Sequence, residues 1–325
     1  MKSFQSIIPK SKNKFEKIKS NVIVVGGGRW AFIIISEIIK NFKNVKKIFV
    51  VTKNKNIVKK FSKKMKKKIV FKRYIKEVKN SNSKHAIIAN KNKDHFKISK
   101  KLLLKKINIL VEKPFVTNSY QYKYLKNLSK NKKKIILISM PFYYSYYFHF
   151  FSKKFIKDSK VKINFKWQDK TNEIRNGHLK KYDSNINYLE DTIYHIFSIL
   201  NCFFGKKKIS LKKVINEKSY GFIEFQYGKS LAKLDCSIKK KNLRIREVSI
   251  ISKNQFTVLD YSNENNLKLI DKDKEKLLKF NFCQKTLKYQ IFNFLSLNKY
   301  SENFLFNDIR NLNNLFVLLS NIKKV

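Results

Sequence analysis

The 325-residue chain has only seven glycines, and three of them stand side by side at Gly26, Gly27 and Gly28. They follow the apolar run Val22-Ile-Val-Val and precede Arg29-Trp30-Ala31, which opens a longer apolar segment. Glycine permits positive φ and close backbone approach, so a cluster in a glycine-poor chain marks a tight strand-to-helix turn. Gly26, Gly28 and Ala31 spell G-x-G-x-x-A. In that pattern Gly26 makes the turn, Gly28 lets a pyrophosphate approach the backbone, and Ala31 lets helix and strand pack closely. The N–H groups of the first helical turn, around Arg29 and Trp30, would face the anion. The expectation is a dinucleotide-binding βαβ unit.

The surrounding pattern supports a doubly wound domain. Val22–Val25, Ile48–Val51, Ile69–Phe71, Ala86–Ala89, Ile107–Val111 and Ile135–Met140 read as short buried strands. Helices are expected between them at Arg29–Asn41, Ile57–Lys66, Asp94–Lys105 and Ser119–Ser129. Continuous apolar strands alternating with helices argue for a parallel sheet covered on both faces. Beyond Pro141 the pattern changes to strands joined by short polar turns, at Val161–Trp167, Tyr220–Phe225, Ser230–Cys236, Glu247–Ser252 and Gln255–Leu259. Helices are expected at Asn187–Phe203, Thr286–Leu297 and Asn307–Ile322. The fold class is therefore α/β: an N-terminal Rossmann domain over 1–141, with 1–20 a loose basic extension, and an α+β domain over 142–325 with a mostly antiparallel sheet.

The charge is extreme, 74 Lys+Arg against 22 Asp+Glu, a formal +52. Nearly all of it is lysine, spread along the chain; the arginines are Arg29, Arg73, Arg175, Arg244, Arg246 and Arg310. Specific nucleic-acid recognition favours the guanidinium fork and a clustered stripe. With abundant Asn, Ile, Phe and Tyr, the lysines read as a compositional bias, and no specific nucleic-acid partner is expected. No apolar run is long enough to span a membrane, and the first 20 residues carry no secretory h-region. Cys202, Cys236 and Cys283 stand in no metal or redox spacing, so no metal and a cytoplasmic location are expected.

The second strand ends in Val51-Thr52-Lys53-Asn54, a hydroxyl and a cation where an acidic residue would bind the 2′-hydroxyl of NAD. These groups suit the 2′-phosphate of NADP, with NAD the alternative cofactor. Further on, His85-Ala-Ile-Ile-Ala89-Asn90-Lys91-Asn92-Lys93-Asp94-His95 leads from strand to helix, and Ile109-Leu-Val-Glu112-Lys113-Pro114 ends another strand. Asp191 and His195 lie four apart on the helix beginning near Asn187, hence on one face.

With the glycine turn, Asn92 and His95, the Glu112-Lys113-Pro114 tripeptide and the D-x-x-x-H pair, the chain resembles the family of glucose–fructose oxidoreductase, inositol 2-dehydrogenase and the rhizopine-catabolism oxidoreductase (Gfo/Idh/MocA), over residues 20–325. Lys91 departs from the family, which usually has proline there. The resemblance implies hydride transfer between a nicotinamide and a secondary alcohol or carbonyl of a sugar, sugar nucleotide or cyclitol. It implies that Lys113 stabilises the reacting oxygen, His195 exchanges the proton and Asp191 orients it, with the proton carrier open between Lys113 and His195. Glu112 would contact the nicotinamide ribose; Asn90, Asn92 and His95 would line the cofactor cleft; a cis Lys113–Pro114 bond and a homodimer or homotetramer are also implied. Arg175 and Tyr182, with His178 and Lys181, sit in a polar loop before the helix and are candidates for a substrate carboxylate or phosphate. The aromatic run at 141–151 is read first as packing, with sugar stacking as the other reading. The competing functional reading is a catalytically silent dinucleotide-binding regulator of the same fold.

Overall fold

The computed structural model describes residues 18–323, apart from 62, 79–81, 157–159, 172–173, 176–177, 180–185, 240–242, 254, 264–266, 272–273, 279–285 and 298–304. Most of the basic extension, Lys181, Tyr182 and Cys283 therefore lie outside the described residues. The first sheet contains β1 (Val22–Val25), β2 (Ile48–Val51), β3 (Ile69–Lys72), β4 (His85–Ile88), β5 (Asn108–Val111) and β6 (Ile136–Ile138). Its order is β3-β2-β1-β4-β5-β6, and every pairing is parallel. The order reverses between β1 and β4, the switch point where open α/β sheets bind ligands. All four residues of β1, β4 and β5 are buried, as continuous apolar strands covered on both faces must be.

The intervening helices are α1 (Arg29–Asn41), α2 (Asn56–Lys59), α3 (Lys63–Lys66), α4 (His95–Leu104) and α5 (Ser119–Lys132). Ala31, Ile34, Ile35 and Ile38 recur at helical spacing and form the buried stripe of α1. The single helix expected over 57–66 is two short ones, because its lysine-rich sequence buries little beyond Ile57 and Phe61. Helix α5 is capped at its start by Asn118, whose side chain accepts from Gln121 N.

The second unit begins with a 3-10 turn at Pro141–Tyr144 and helix α6 (Tyr146–Phe155). Tyr144, Tyr147, Phe148 and Phe151 are buried, so packing accounts for this aromatic run. Strand β7 (Lys162–Lys170) is followed by a two-strand ribbon, β8 (Ile174–Arg175) and β9 (His178–Leu179), and then by α7 (Tyr188–Phe204). Strands β10 (Ile209–Asn216), β11 (Tyr220–Tyr227), β12 (Ser230–Lys239), β13 (Ile245–Ile251), β14 (Phe256–Asp260), β15 (Leu267–Asp271) and β16 (Lys274–Leu278) complete an eight-stranded sheet. Its order is β10-β11-β12-β7-β13-β14-β15-β16, antiparallel except where β7 joins β12. Alternate residues of β11 and β13 are buried, the signature of a sheet covered on one face. Helix α7 packs on that sheet and on α6.

Two further helices, α8 (Thr286–Leu295) and α9 (Asn313–Ile322), follow. The single cut expected between 1–141 and 142–325 is crossed again near the end. The compact units are Met1–Met140 with Thr286–Leu312, and Pro141–Lys285 with Asn313–Val325. The return has a physical cause. Ile291, Phe294 and Leu295 of α8 join the core formed by α1 and the first sheet. The buried Gln290 accepts from Met140 N at 2.9 Å and donates to Ser139 Oγ at 2.9 Å, satisfying groups at the end of β6. Asn307 then donates to Ile138 O at 2.7 Å and covers that edge strand.

In the second unit, His149 faces the Tyr143 carbonyl at 2.8 Å, and burial pushes its imidazole down from 6.5 to about 4. A histidine held neutral in the fold but free to charge when unfolded stabilises above its unfolded pKa, and that stabilisation is lost as pH falls toward the folded value. Acidification from about pH 7 to about pH 4 should thus remove on the order of 2 kcal/mol through this group. Thermal melts across that range should show a smaller decline in Tm for His149→Gln than for the wild type; equal slopes would contradict the assignment.

Candidate active site

Three chain segments meet at the carboxyl edge of the parallel sheet. The N–H of Gly26 donates to Val51 O at 3.0 Å, and Ala89 N donates to Val25 O at 2.8 Å. Gly26 has φ +147°, and a Cβ placed there would lie 2.5 Å from the Ala89 carbonyl oxygen. No other residue type fits that approach. Gly28 differs: a Cβ there would meet nothing within 4 Å. It is the N-cap of α1, no side chain caps the helix, and no acidic residue occupies its first turn. The first N–H groups of α1, with Arg29 and Trp30, therefore stand beside open space, as an anion site at a helix start requires. Ala31 is fully buried against the turn.

The end of β2 is tied to this loop by a residue that the sequence reading passed over. Asn54 donates from Nδ2 to Gly27 O at 3.0 Å, and its N–H donates to Thr52 Oγ1 at 3.0 Å. Lys53 is exposed beside it. Thr-x-Asn after a strand is a common turn signal, which is the sequence clue to Asn54.

On the other side, His95 is buried with both ring nitrogens on backbone carbonyls, Nδ1 at 2.8 Å from Pro114 O and Nε2 at 3.1 Å from Asn90 O. It holds the end of β4 against the turn after β5 and keeps Asn90 beside Glu112-Lys113-Pro114. Burial lowers its pKa, with the two carbonyls opposing. Asn92 begins the 3-10 turn at Asn92–Asp94 that leads into α4. The Lys113–Pro114 bond is cis.

Glu112 is half-buried, and desolvation raises its carboxyl pKa, offset in part by the Ser139 hydroxyl, the Trp30 indole N–H and the Lys113 ammonium. Ser139 can donate to it because Gln290 donates to the Ser139 oxygen. Glu112 Oε1 and Asn90 Oδ1 are buried acceptors without a hydrogen-bond partner. Unpaired buried acceptors cost stability and mark sites completed by something else. Ribose hydroxyls, which donate, fit both. The residues present thus suit a dinucleotide along its length: open helix start for the pyrophosphate, orphan acceptors for a ribose.

In the second unit, Asp191 and His195 stand one turn apart on α7, both partly exposed on a helix whose other positions are mostly buried. The His195 imidazole stacks on Trp167 at 5.3 Å between centroids and 12° between planes, and makes a T-shaped contact with Phe142 at 5.1 Å. Trp167 is one of only two tryptophans, a signal available in the sequence. Arg175 lies in the ribbon paired with His178–Leu179. Among the described residues no cluster of three His, Cys, Asp or Glu groups could hold a metal, and no helix is long and apolar enough to cross a membrane.

A parallel sheet of this order, with a glycine turn and open helix start at its switch point, is the Rossmann-type arrangement. Residues 20–140 match the profile described as an oxidoreductase family with an NAD-binding Rossmann fold, Gfo/Idh/MocA. The match is to that domain, which is thus similar to the NAD-binding domain of the Gfo/Idh/MocA oxidoreductases. Among solved structures, the MviM dehydrogenase of Clostridium difficile is similar with TM-score 0.73 and 15% identity, covering 94% of this chain and 99% of that one. UDP-N-acetylglucosamine 3-dehydrogenase GnnA of Acidithiobacillus ferrooxidans is similar at TM-score 0.72 and 11% identity, over 94% and 97%. A mutant of KijD10, a 3-ketoreductase of Actinomadura kijaniata in complex with TDP-benzene and NADP, gives TM-score 0.74 at 8% identity, over 94% and 97%. At these identities the likeness is one of fold. No curated protein sequence matches the chain.

The two glycines make opposite predictions. Gly26→Ala should cost roughly 1–3 kcal/mol through strain and collision with Ala89, lowering Tm. Gly28→Ala should leave Tm within a degree or two yet weaken NADPH binding at least tenfold, read by nucleotide fluorescence titration. Unchanged binding in Gly28→Ala would mean that the open space is not the phosphate site.

Proposed function

We propose that the protein transfers hydride between a nicotinamide dinucleotide, NADP in preference to NAD, and a secondary alcohol or carbonyl on a sugar, sugar nucleotide or cyclitol. The observation that carries the reading is the pair of orphan acceptors, Asn90 Oδ1 and Glu112 Oε1, at the same sheet edge as the open Gly28 turn. The family's description as oxidoreductases supports the reaction type. The fold neighbours that act as a UDP-N-acetylglucosamine dehydrogenase and a 3-ketoreductase support a sugar-nucleotide substrate.

When bound, the cofactor supplies the hydride chemistry. The N–H groups at the start of α1, with Gly26, Gly28, Arg29, Trp30 and Ala31 shaping the turn, hold the pyrophosphate. Thr52 and Lys53 face the 2′-phosphate; the carboxylate that would repel it is missing from Thr52-Lys53-Asn54. Glu112 and Asn90 accept from ribose hydroxyls, and His95, both nitrogens engaged by the backbone, positions their loops. Lys113 donates to the reacting oxygen and stabilises the negative charge that develops there. His195 takes or returns the hydroxyl proton, and Asp191 orients it or an adjacent substrate hydroxyl. Arg175 and Tyr182 bind an anionic group of the substrate, and the assembly is a homodimer or homotetramer.

Titration with NADPH and NADH, followed by turnover assays on a panel of nucleotide sugars and cyclitols, tests the reading. Tight binding without turnover on any of them would instead favour a dinucleotide-binding regulator. Lys113→Met should lower kcat at least a hundredfold with NADPH binding still measurable; retained turnover would remove Lys113 from its role. Lys53→Glu should weaken NADPH about tenfold and leave NADH within twofold, the size of one lost charge-assisted hydrogen bond. Equal losses for both nucleotides would contradict the 2′-phosphate assignment.

A further inference from the structure

The second unit buries a charged group in an unusual place. Arg246 is 1% exposed, in a chain that draws nearly all its positive charge from lysine. It sits directly opposite Trp167 in the antiparallel β7–β13 pair. Its guanidinium carbon lies 3.8 Å from the centroid of the Trp167 ring. Nη1 donates to Gln168 O at 2.6 Å and to Ile245 O at 2.7 Å, and Nη2 is paired with the carboxylate of the buried Asp169. Lysine could not do this, because the contact needs a planar cation that stacks while its edge donates in several directions.

A guanidinium fixed by two strands fixes the indole it covers, through cation–π attraction that is strongest when desolvated. The indole in turn lies parallel to the His195 imidazole, 12° between planes. Phe142 stands T-shaped at 87° to the same imidazole and at 90° to the indole. One ring defines the imidazole plane and the other abuts it at right angles, so rotation about the side chain would break two aromatic contacts.

We propose that Trp167 is the positioning residue for His195, and that Arg246, anchored by Asp169, holds Trp167 in place. The proposal rests on the reading of His195 as the proton-exchanging group. An imidazole that must present one particular nitrogen to a hydroxyl gains from a fixed plane, since small misplacements of reacting groups cost roughly a hundredfold in rate.

The test uses the full chain with Trp167→Phe, Trp167→Leu and His195→Gln. Two readouts are taken: the His195 ring resonances by histidine-selective NMR, assigned by their loss in His195→Gln, and steady-state kinetics with UDP-N-acetylglucosamine and NADP+ or NAD+. The His195 ring protons should be shifted upfield in the wild type by the indole and should move downfield in Trp167→Leu. Turnover should fall roughly ten- to hundredfold in kcat for Trp167→Leu, with the KM for dinucleotide within twofold, and Trp167→Phe should recover most of it. If Trp167→Leu does not fold, Trp167→Phe alone should still move the ring resonances and lower kcat severalfold. Unmoved His195 resonances, or wild-type kcat in the folded Trp167 variants while His195→Gln is inactive, would overturn the positioning role. Wild-type turnover in His195→Gln would overturn the assignment of His195 itself, and the proposal with it; the ring resonances would still report whether the stack exists.

Discussion

The approach of Gly26 to the Ala89 carbonyl is the contact from which the candidate site is built. With no Cβ at Gly26, the chain leaving β1 passes within van der Waals reach of the end of β4. That closeness aims the first turn of α1 across the sheet edge and leaves Gly28 facing open space. It also puts Ala89, and with it the end of β4, next to the glycine turn. Any side chain at Gly26 would push β1 and β4 apart at the point where the strand order reverses.

From that contact the arrangement spreads by backbone carbonyls rather than by charged pairs. His95 joins Asn90 O to Pro114 O, locking the β4 and β5 ends together. Gln290, arriving from α8, orients Ser139, whose hydroxyl faces the Glu112 carboxyl. Each step buries polar groups that are satisfied by the protein, until Asn90 Oδ1 and Glu112 Oε1, which are not. The +52 charge stands outside this network. Its lysines are mainly exposed, where they draw anions toward the surface, while the charges that organise structure are the few buried ones, Arg246 with Asp169 above all.

Much of this was legible in the sequence, and for a consistent reason. The bounds of β1 and α1 follow from an uninterrupted apolar run and a helical apolar stripe, and the structure gives Val22–Val25 and Arg29–Asn41. Strands β10 and β16 were not legible. They are the two edges of their sheet, rich in lysine, and β16 is almost wholly exposed, so no apolar alternation marks them; charged edges of this kind also discourage further pairing. Helix α6 was hidden because aromatics crowd every face of it. The return of α8 to the first unit and the double engagement of His95 depend on partners far apart in the chain, and no local pattern reports them. The residue types at the glycine-turn edge were visible, whereas the stack of Trp167 on His195 joins a strand residue to a helix residue and no local pattern reports it.

The central claim is that a dinucleotide binds along the edge that joins the glycine turn to Glu112-Lys113. Hydrogen–deuterium exchange of the full chain with and without NADPH measures this directly. The account predicts that peptides covering Gly26 to Ala31 and those covering Glu112 to Pro114 become protected together on saturation, with the eight-stranded sheet edge β14–β16 unchanged. NADPH binding that protects neither segment, or the glycine turn alone, would contradict it.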